Sequence, residues 1–244
     1  MKVDIVIPLA NLSRNADDWE LRYSLRSLAE QDWCGQIMVV GHLPKWVKGV
    51  RHIECPDPYN HAKDANIINK ILRACADDLL SENFVVNSDD QFIVKKIGLE
   101  YLGPWLEYPN PMDIAYAKRT SSLWHRRLVS TIEFCKAHNL PEWVFQCHIP
   151  YLVDKKKYVT AMSTVPWGKG NGLLTHLYFN LALNVAPAVE MPGQTLRVTK
   201  NIQQPQFEKL IQRATFLNVN NQGLCEPVKN WVEKRFPEKS PWEN

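Results

Sequence analysis

Residues 84–93, FVVNSDDQFI, combine the features of a buried strand and of a binding site. The apolar residues up to Asn87 predict a strand in the protein interior. Asp89 and Asp90, hereafter the carboxylate pair, follow at the point where this strand ends, and the apolar run resumes at Phe92. Two like charges repel each other, and burying them unpaired is costly. The stretch therefore predicts a positively charged group or a cation beside the pair.

The surrounding sequence alternates strands with helices. Residues 3–8 and 37–41 predict two more buried strands. Helical periodicity over residues 21–28 and 65–79 predicts the two connecting helices. Near-continuous apolar strands that alternate with helices are typical of an α/β protein with a mostly parallel sheet. Because ligands of such sheets bind at the carboxyl ends of the strands, the carboxylate pair lies where we expect a ligand.

The second half of the chain has a less regular pattern. A short apolar run predicts a strand at residues 114–117. Periodicity predicts helices at residues 124–138, 173–185, 207–216 and 228–236. No Gly/Ser-rich linker, internal repeat or low-complexity segment divides the chain, so we predict a single domain over residues 1–244.

Composition narrows the class of protein. Of the 244 residues, 45% are hydrophobic and 23% are charged, which is ordinary for a globular chain and argues against widespread disorder. The start of the chain lacks the apolar core of a signal peptide, and no apolar run reaches the length of a membrane span. Six cysteines without CxxC spacing are typical of reduced thiols. We therefore expect a cytoplasmic protein without a membrane span.

The net charge of +3 is unevenly distributed. Residues 1–110 contain 12 basic and 16 acidic side chains, whereas residues 111–244 contain 17 basic and 10 acidic ones. The basic excess of the second half is either an ordinary solvated surface or a surface that faces an acidic partner.

Two further groups of residues are candidates for binding an anion. Arg22 and Arg26 lie one turn apart on the first predicted helix, where they would bind phosphate or else pair with Glu30 or water. Lys63 and Asn66 lie at the start of the second predicted helix, and helix N-termini attract anions. An ordinary helix cap is the alternative for that segment.

Three segments in this order resemble a known fold: WELRYSLRSL (residues 19–28), QIMVVGHLPKWVKGVRHI (36–53) and FVVNSDDQFI (84–93). They resemble the glycosyltransferase A fold, in which a carboxylate motif after a strand holds a metal and a nucleotide-sugar diphosphate. A more specific resemblance is to the central conserved region of the Stealth proteins, which are sugar-phosphate transferases of microbial polysaccharide synthesis. Those proteins show a similar helix, a strand followed by P-x-W and an N-D-D-type motif. The resemblance covers about residues 3–95.

The resemblance implies a single Rossmann-like glycosyltransferase A fold in which residues 1–110 bind a nucleotide sugar and residues 111–244 bind the acceptor. It implies an enzyme that moves a sugar from a nucleotide-diphospho-sugar, such as a UDP-sugar, to an acceptor hydroxyl. The implied cofactor is a divalent metal, Mn²⁺ or Mg²⁺. The residues expected to bind the donor are Pro8, Arg22, Arg26, Lys63, Asn66, Ser88 and Asp89.

The carboxylate motif can be aligned with the Asp-x-Asp pattern of this fold in two registers. If Asp89 is its first member, Gln91 stands where the second carboxylate is usual. In the other register Ser88 takes the first place and Asp90 the last. We expect Asp90 to bind the metal and to be a catalytic residue.

The segment QCHIPYLVDKKKY (residues 146–158) contains the remaining catalytic candidates. His148 belongs to an H-x-P element similar to one in Stealth and related chains. This histidine would bind the metal or transfer a proton, or else it is a hydrogen-bonded structural residue. Asp154 and Glu133 are candidate bases. We predict Asp90 and His148 as metal ligands, and both of them together with Asp154 as catalytic residues.

Basic residues of the second half are interleaved with aromatic ones, namely Trp124, Trp143 and Tyr151. The basic groups are residues 118–119, 125–127 and 155–157. Such a surface can hold a phosphate backbone and stack bases, so the acceptor could be DNA that carries a hydroxymethylated base, flipped out of the duplex. If the lysines are only solvated, a microbial glycan is the acceptor. The rival functions are a Stealth-like sugar-phosphate transferase and a non-catalytic nucleic-acid-binding module.

Overall fold

The structure is a computed structural model that describes residues 2–10, 18–59, 62–107, 122–167, 172–183 and 193–244. Within these ranges the strands are β1 (Val3–Leu9), β2 (Cys34–Gly41), β3 (Arg51–Ile53), β4 (Asn83–Val86), β5 (Gln91–Ile93), β6 (Tyr151–Asp154), β7 (Gln194–Val198) and β8 (Ala214–Val219). The α-helices are α1 (Trp19–Ala29), α2 (Lys63–Cys75), α3 (Leu123–Ala137), α4 (Lys155–Ser163), α5 (Leu174–Ala182), α6 (Gln204–Ile211) and α7 (Glu226–Arg235), and a 3₁₀ helix spans Leu99–Leu102.

The predicted mostly parallel sheet is confirmed. Its strand order is β3-β2-β1-β4-β6, with β1 to β4 parallel and β6 antiparallel to β4. Alternating side chains of β1 bury both faces of this sheet, since Ile5 and Ile7 pack with Leu25 of α1, while Val6 packs with Ile68 of α2. Because helices cover both faces, the strands read as continuous apolar runs in the sequence.

A second sheet, of order β5-β8-β7, begins directly after the carboxylate pair. β5 is antiparallel to β8, and β7 is parallel to β8. This sheet corrects the helix predicted for residues 207–216, because α6 ends at Ile211 and β8 starts at Ala214. All six residues of β8 are buried, so its apolar run belongs to a strand within the core rather than to a helix face.

The predicted helices in the second half agree with α3, α5 and α7 to within a few residues, apart from the part of 173–185 that lies outside the described residues. The strand predicted at residues 114–117 also lies outside them. The helices in the described part of the chain are all too short or too polar to cross a membrane.

The last residues of the chain return to α1. Glu243, only 3% exposed, accepts hydrogen bonds from Arg22 (2.9 Å) and from Arg26 (2.8 and 2.9 Å). The Arg22 guanidinium lies 4.1 Å from the ring centroid of Trp46, in the loop after β2. Asn244 donates to the carbonyl of the same Trp46 at 2.9 Å. The two arginines of α1 therefore hold the C-terminal segment against α1 and this loop.

We predict that Glu243→Ala lowers the free energy of unfolding at pH 7 by roughly 3 kcal/mol, since it leaves two partly buried arginines without their partner. Burial alone would raise the pKa of Glu243, but hydrogen bonds from Arg26, Ser240 and Arg22 outweigh it and lower the pKa to about 2. This stabilisation is fully present above the carboxyl's unfolded-state pKa and is lost as the pH falls towards 2. Urea denaturation at several pH values measures it.

The matched control is Glu238→Ala at an exposed position in the same segment. Wild type and Glu243→Ala should converge in stability between about pH 5 and pH 2. Equal stability of the two variants at pH 7 would show that the buried ion pair does not hold the tail.

Candidate functional site

A tight turn carries the carboxylate pair at the carboxyl end of β4. The Asn87 amide donates to the Val6 carbonyl at 3.0 Å, which extends the pairing of β4 with β1 by one residue. Ser88 and Gln91 then close the turn, since the Gln91 amide donates to the Ser88 carbonyl and the Ser88 amide to the Gln91 side chain, both at 3.3 Å. The Gln91 side chain therefore accepts a hydrogen bond from a backbone amide within the turn.

Two buried serines of α1 hold this turn in place. Ser24 Oγ accepts a hydrogen bond from the Asn87 side chain at 2.9 Å and donates to the Ser88 carbonyl at 3.1 Å. Ser27 Oγ accepts from the Ile93 amide at 3.2 Å on the far side of the turn. Both serines are fully buried, so the small hydroxyls allow α1 to approach the turn closely. The position of the carboxylate pair therefore depends on α1.

The second sheet fixes Asp90 from the other side. The Asp90 carbonyl accepts hydrogen bonds from the Val219 amide at 3.2 Å and from the Asn218 side chain at 3.1 Å. Asn218 lies at the end of β8 and also interacts with the Asp90 carboxylate and with His148. Asp90 thus lies at the junction of the two sheets.

The ionised form of the carboxylate pair is electrostatically unfavourable. Both side chains are partly accessible, yet protein fills most of the volume around them, so burial is the largest cause that raises the pKa of each. The pKa of Asp89 is raised further by Asp90 and by Glu20. Lys63 is the cation that lowers the pKa of both carboxyls. This is the neighbouring positive charge that the sequence led us to expect.

A cavity of about 400 Å³ opens beside the pair. One side is formed by the carboxyl ends of β1 and β4, the first turn of α2 and the turn after β4. The other side is formed by α3, β6, α5 and the segment before β6. Of the predicted site residues, the cavity lining contains Pro8, Lys63, Ser88, Asp90 and His148. Asp89 is adjacent to the lining but not part of it, so the Ser88–Asp90 register is the one that faces the cavity.

The structure places other predicted site residues elsewhere. Arg22 and Arg26 bind Glu243, so neither faces the cavity. The Asn66 side chain exchanges two hydrogen bonds of 3.0 Å with the backbone of Tyr59, which fixes the loop before α2. None of these three residues lines the cavity.

Asp154 is also separated from the carboxylate pair. It caps α4 by accepting a hydrogen bond from the Lys157 amide at 2.9 Å. Its partner in the sheet is Asn83, at the amino end of β4, whereas the pair follows the carboxyl end. The two sites are thus at least one strand length apart, about 10 Å. We therefore remove Asp154 from the catalytic site, since a base must reach its proton.

The lysine run at residues 155–157 lies at the same distant end. Lys155 donates to the carbonyls of Asp77 and Leu80, at 2.8 and 3.3 Å, and Lys156 pairs with Glu82 at 3.8 Å. The basic residues at 118–119 lie outside the described part of the chain. The lysine run therefore does not line the cavity.

The sequence did not reveal an ion pair that connects the two sides of the cavity. Asp64 of α2 binds the Arg127 guanidinium of α3 at 2.7 Å and accepts from the Leu174 amide of α5 at 3.4 Å. Burial raises the pKa of Asp64, and Arg127 is the main influence that lowers it. The sequence marked Arg127 as part of the basic group at residues 125–127, but it did not indicate Asp64 as its partner.

His148 contributes another polar group to the cavity that contains Asp90. Its Nε2 atom is buried and finds no hydrogen-bond partner among the described residues. Burial, followed by Arg197 and Lys63, lowers the pKa of His148 to about 4, so the imidazole is neutral at pH 7. A neutral imidazole can accept a proton or bind a metal through its free nitrogen.

The oxygen ligands fit a divalent cation that is shared with phosphate. Among the described residues, no three His, Cys, Asp or Glu side chains come close enough to hold a metal by themselves. Mg²⁺ typically binds through one or two carboxylates and completes its shell with phosphate oxygens and water. The carboxylate pair, whose pKa values are raised and which lies beside Lys63, would supply only part of such a shell.

Solved glycosyltransferases share this architecture. The galactosyltransferase LgtC, in complex with donor and acceptor sugar analogs, aligns with a TM-score of 0.54 at 9% identity, over 98% of this chain and 96% of LgtC. An active-site mutant of LgtC gives a TM-score of 0.51 at 9% identity, over 96% and 95% of the two chains. The bifunctional glycosyltransferase WbbM gives 0.50 at 11% identity, over 99% of this chain but 50% of WbbM.

This chain therefore has the glycosyltransferase A fold, as the resemblance of its first half implied. No protein family model and no curated protein sequence matches it. The resemblance to the Stealth proteins stays a prediction, since it is not tested by these comparisons.

We predict that Asp89→Asn stabilises the folded protein at pH 8 in chelator-treated buffer. Folding raises the pKa of Asp89, so its ionised form destabilises the folded state at high pH, and a neutral amide removes that cost. The melting temperature should rise by about 3 °C. The advantage should shrink as the pH falls, because the wild-type carboxyl then takes up a proton in the folded state.

Asp78→Asn, at an exposed position, is the control and should change the melting temperature little at any pH. Thermal melts across the pH range give the measurement. A destabilised Asp89→Asn at pH 8 would mean that the pair is not electrostatically strained.

Proposed function

We propose that this protein is a glycosyltransferase that moves a sugar from a nucleotide-diphospho-sugar to an acceptor hydroxyl. The observation that carries the proposal is the carboxylate pair, which ends a strand of a glycosyltransferase A fold and borders a cavity of about 400 Å³. Pairs of titratable groups with shifted pKa values at such a cavity are candidates for chemistry.

The donor diphosphate is assigned to the part of the cavity between Lys63, Ser88 and Asp90. Lys63 supplies a positive charge at the start of α2, where the free backbone amides of the helix also favour an anion. Asp90, with Asp89 behind it and His148 across the cavity, would hold a divalent metal. When bound, that metal would stabilise the negative charge of the leaving diphosphate.

His148 is assigned to the reacting end of the substrates. Its neutral imidazole has an unpaired Nε2 in the cavity that contains Asp90, so it would bind the metal or accept the proton of the acceptor hydroxyl. Asn218, which interacts with both residues, would keep the imidazole oriented towards the cavity. Asp154 has no part in this proposal.

A saccharide is the acceptor that we favour. The lysine run was one of the three basic groups that suggested DNA, and it lies at the opposite end of β4 from the carboxylate pair. DNA with a hydroxymethylated base remains an outcome that the experiments below can reveal. A Stealth-like sugar-phosphate transferase would differ in releasing a nucleoside monophosphate rather than a diphosphate.

We predict that wild-type protein with Mn²⁺ releases a nucleoside diphosphate from one member of a panel of UDP-, GDP-, ADP- and dTDP-sugars. Asp90→Ala should reduce turnover by about 10³-fold or more while circular dichroism stays unchanged, because the charge that anchors the diphosphate complex is lost. Excess EDTA should inhibit wild type. Asp32→Ala, at a surface position 81% exposed, is the matched control and should keep full activity.

Identification of the released nucleotide separates the alternatives. A monophosphate would favour sugar-phosphate transfer, and undiminished turnover in Asp90→Ala would remove the carboxylate pair from the mechanism. Full activity in EDTA would assign the stabilisation of the diphosphate to Lys63 alone.

The DNA alternative makes its own prediction. If DNA were the acceptor and the lysine run held its backbone, DNA affinity would fall steeply with salt, and replacing Lys155, Lys156 and Lys157 by Ala would flatten that dependence. We expect weak DNA affinity and the same salt dependence in both proteins. A salt titration monitored by fluorescence anisotropy decides this, and a slope that the triple variant reduces by about two or more would restore DNA as the acceptor.

A further inference from the structure

The cavity wall that faces the carboxylate pair contains buried polar atoms that the protein leaves unpaired. Trp124 Nε1, the Tyr151 hydroxyl and both ring nitrogens of His176 have no hydrogen-bond partner among the described residues. Trp124 lies on α3, Tyr151 on β6 and His176 on α5, and all three side chains line the cavity. We call them the polar wall.

These groups are deeply buried. Tyr151 is 5% and His176 is 1% exposed. The Tyr151 hydroxyl lies near Thr175 and Trp124 Nε1 lies near the Cys147 thiol, but neither forms a hydrogen bond of ordinary geometry. Buried polar groups are nearly always satisfied, since leaving one unpaired is destabilising. Four unpaired atoms on one wall of one cavity are therefore expected to bind something that enters it.

The chemistry of the wall favours a neutral ligand that both donates and accepts hydrogen bonds. An indole NH only donates, a tyrosine hydroxyl does both, and a neutral imidazole offers one donor and one acceptor. Burial lowers the pKa of His176 to about 3, so its ring is uncharged. Arg127, which lies on α3 with Trp124, is already paired with Asp64. A phosphate, which only accepts, would leave part of the wall unmatched, whereas sugar hydroxyls match every kind of atom on it.

We propose that the polar wall of Trp124, Tyr151 and His176 binds a neutral sugar ring opposite the carboxylate pair. This inference rests on the proposed function and names the part of the cavity that recognises the carbohydrate. The aromatic bodies of Trp124 and Tyr151 provide apolar faces for the C–H groups of the ring, while their polar atoms bind its hydroxyls. The ring belongs either to the donor or to the acceptor, since both present the same chemistry.

The test uses Tyr151→Phe, which removes one unpaired oxygen and keeps the ring. Calorimetry with Mn²⁺ compares each nucleoside diphosphate of the panel with the corresponding nucleotide sugar. A second titration adds methyl glucoside or methyl galactoside to protein saturated with the diphosphate. If the ring is the donor's, Tyr151→Phe weakens nucleotide-sugar binding on the order of fivefold and leaves diphosphate binding unchanged. If it is the acceptor's, only the free glycoside loses affinity.

Tyr158→Phe is the matched control. The Tyr158 hydroxyl is also buried and unpaired among the described residues, but this side chain does not line the cavity. Both Tyr→Phe variants should melt at the wild-type temperature or up to about 3 °C above it, because each removes an unsatisfied hydroxyl. Only Tyr151→Phe should weaken sugar binding. Trp124→Phe, which removes the indole NH, should weaken it as well.

Two results would overturn the inference in distinguishable ways. Normal diphosphate binding, with sugar affinities unchanged in both Tyr151→Phe and Trp124→Phe, would show that the polar wall does not contact the sugar. No binding of any diphosphate or nucleotide sugar to wild type would overturn the proposed function, and this inference with it.

Discussion

Two adjacent carboxylates at the end of a buried strand are costly to keep together, and much of the surrounding structure holds them in this position. Burial raises the pKa of both, repulsion from Asp90 raises the pKa of Asp89 further, and Lys63 offsets only part of that cost. The turn that carries them cannot relax away from the cavity, because Ser24 and Ser27 hold it from α1. The folded protein therefore maintains a site that a cation and an anionic ligand together would stabilise.

The position of the pair at the junction of two sheets explains how the halves of the chain cooperate. The parallel sheet places Pro8 and the turn after β4 at one edge, as expected for strands that end together. β8 adds Asn218, which contacts Asp90 and His148. Residues distant in sequence thus meet around one cavity. The Asp64–Arg127 ion pair connects its two sides.

The parts of the fold that follow from local pattern could be predicted from the sequence. β1, β2 and β4 are continuous apolar runs, and α2 has a clear apolar stripe, so their alternation indicated the parallel sheet. β3, β5, β6 and β7 were missed, because strands of only three to five residues carry little periodicity. β8 was taken for part of a helix because its apolar run follows α6 almost directly.

Residues of the candidate site could be predicted from the sequence only where a recognisable motif contains them. Asp90, Ser88 and Lys63, which line one cavity, were predicted as site residues because a strand end and a helix start are visible in sequence. Asp154 was predicted beside Asp90 but lies at the other end of β4, since its place depends on the direction of β6, which pairs antiparallel with β4. The positions of Asn218 and of the unpaired atoms of Tyr151 and His176 depend on tertiary packing. Neither residue spacing nor composition reveals such packing.

A crystal structure with Mn²⁺ and a non-hydrolysable nucleotide-sugar analogue tests the central claim most directly. Anomalous scattering locates the manganese independently of the model for the ligand. We predict an anomalous peak about 2.1–2.2 Å from an Asp90 carboxylate oxygen, bridged to the diphosphate beside Lys63, with the nucleotide at the carboxyl ends of β1 and β4. A nucleotide bound elsewhere, or a fully occupied nucleotide with manganese absent from the carboxylate pair, would contradict it.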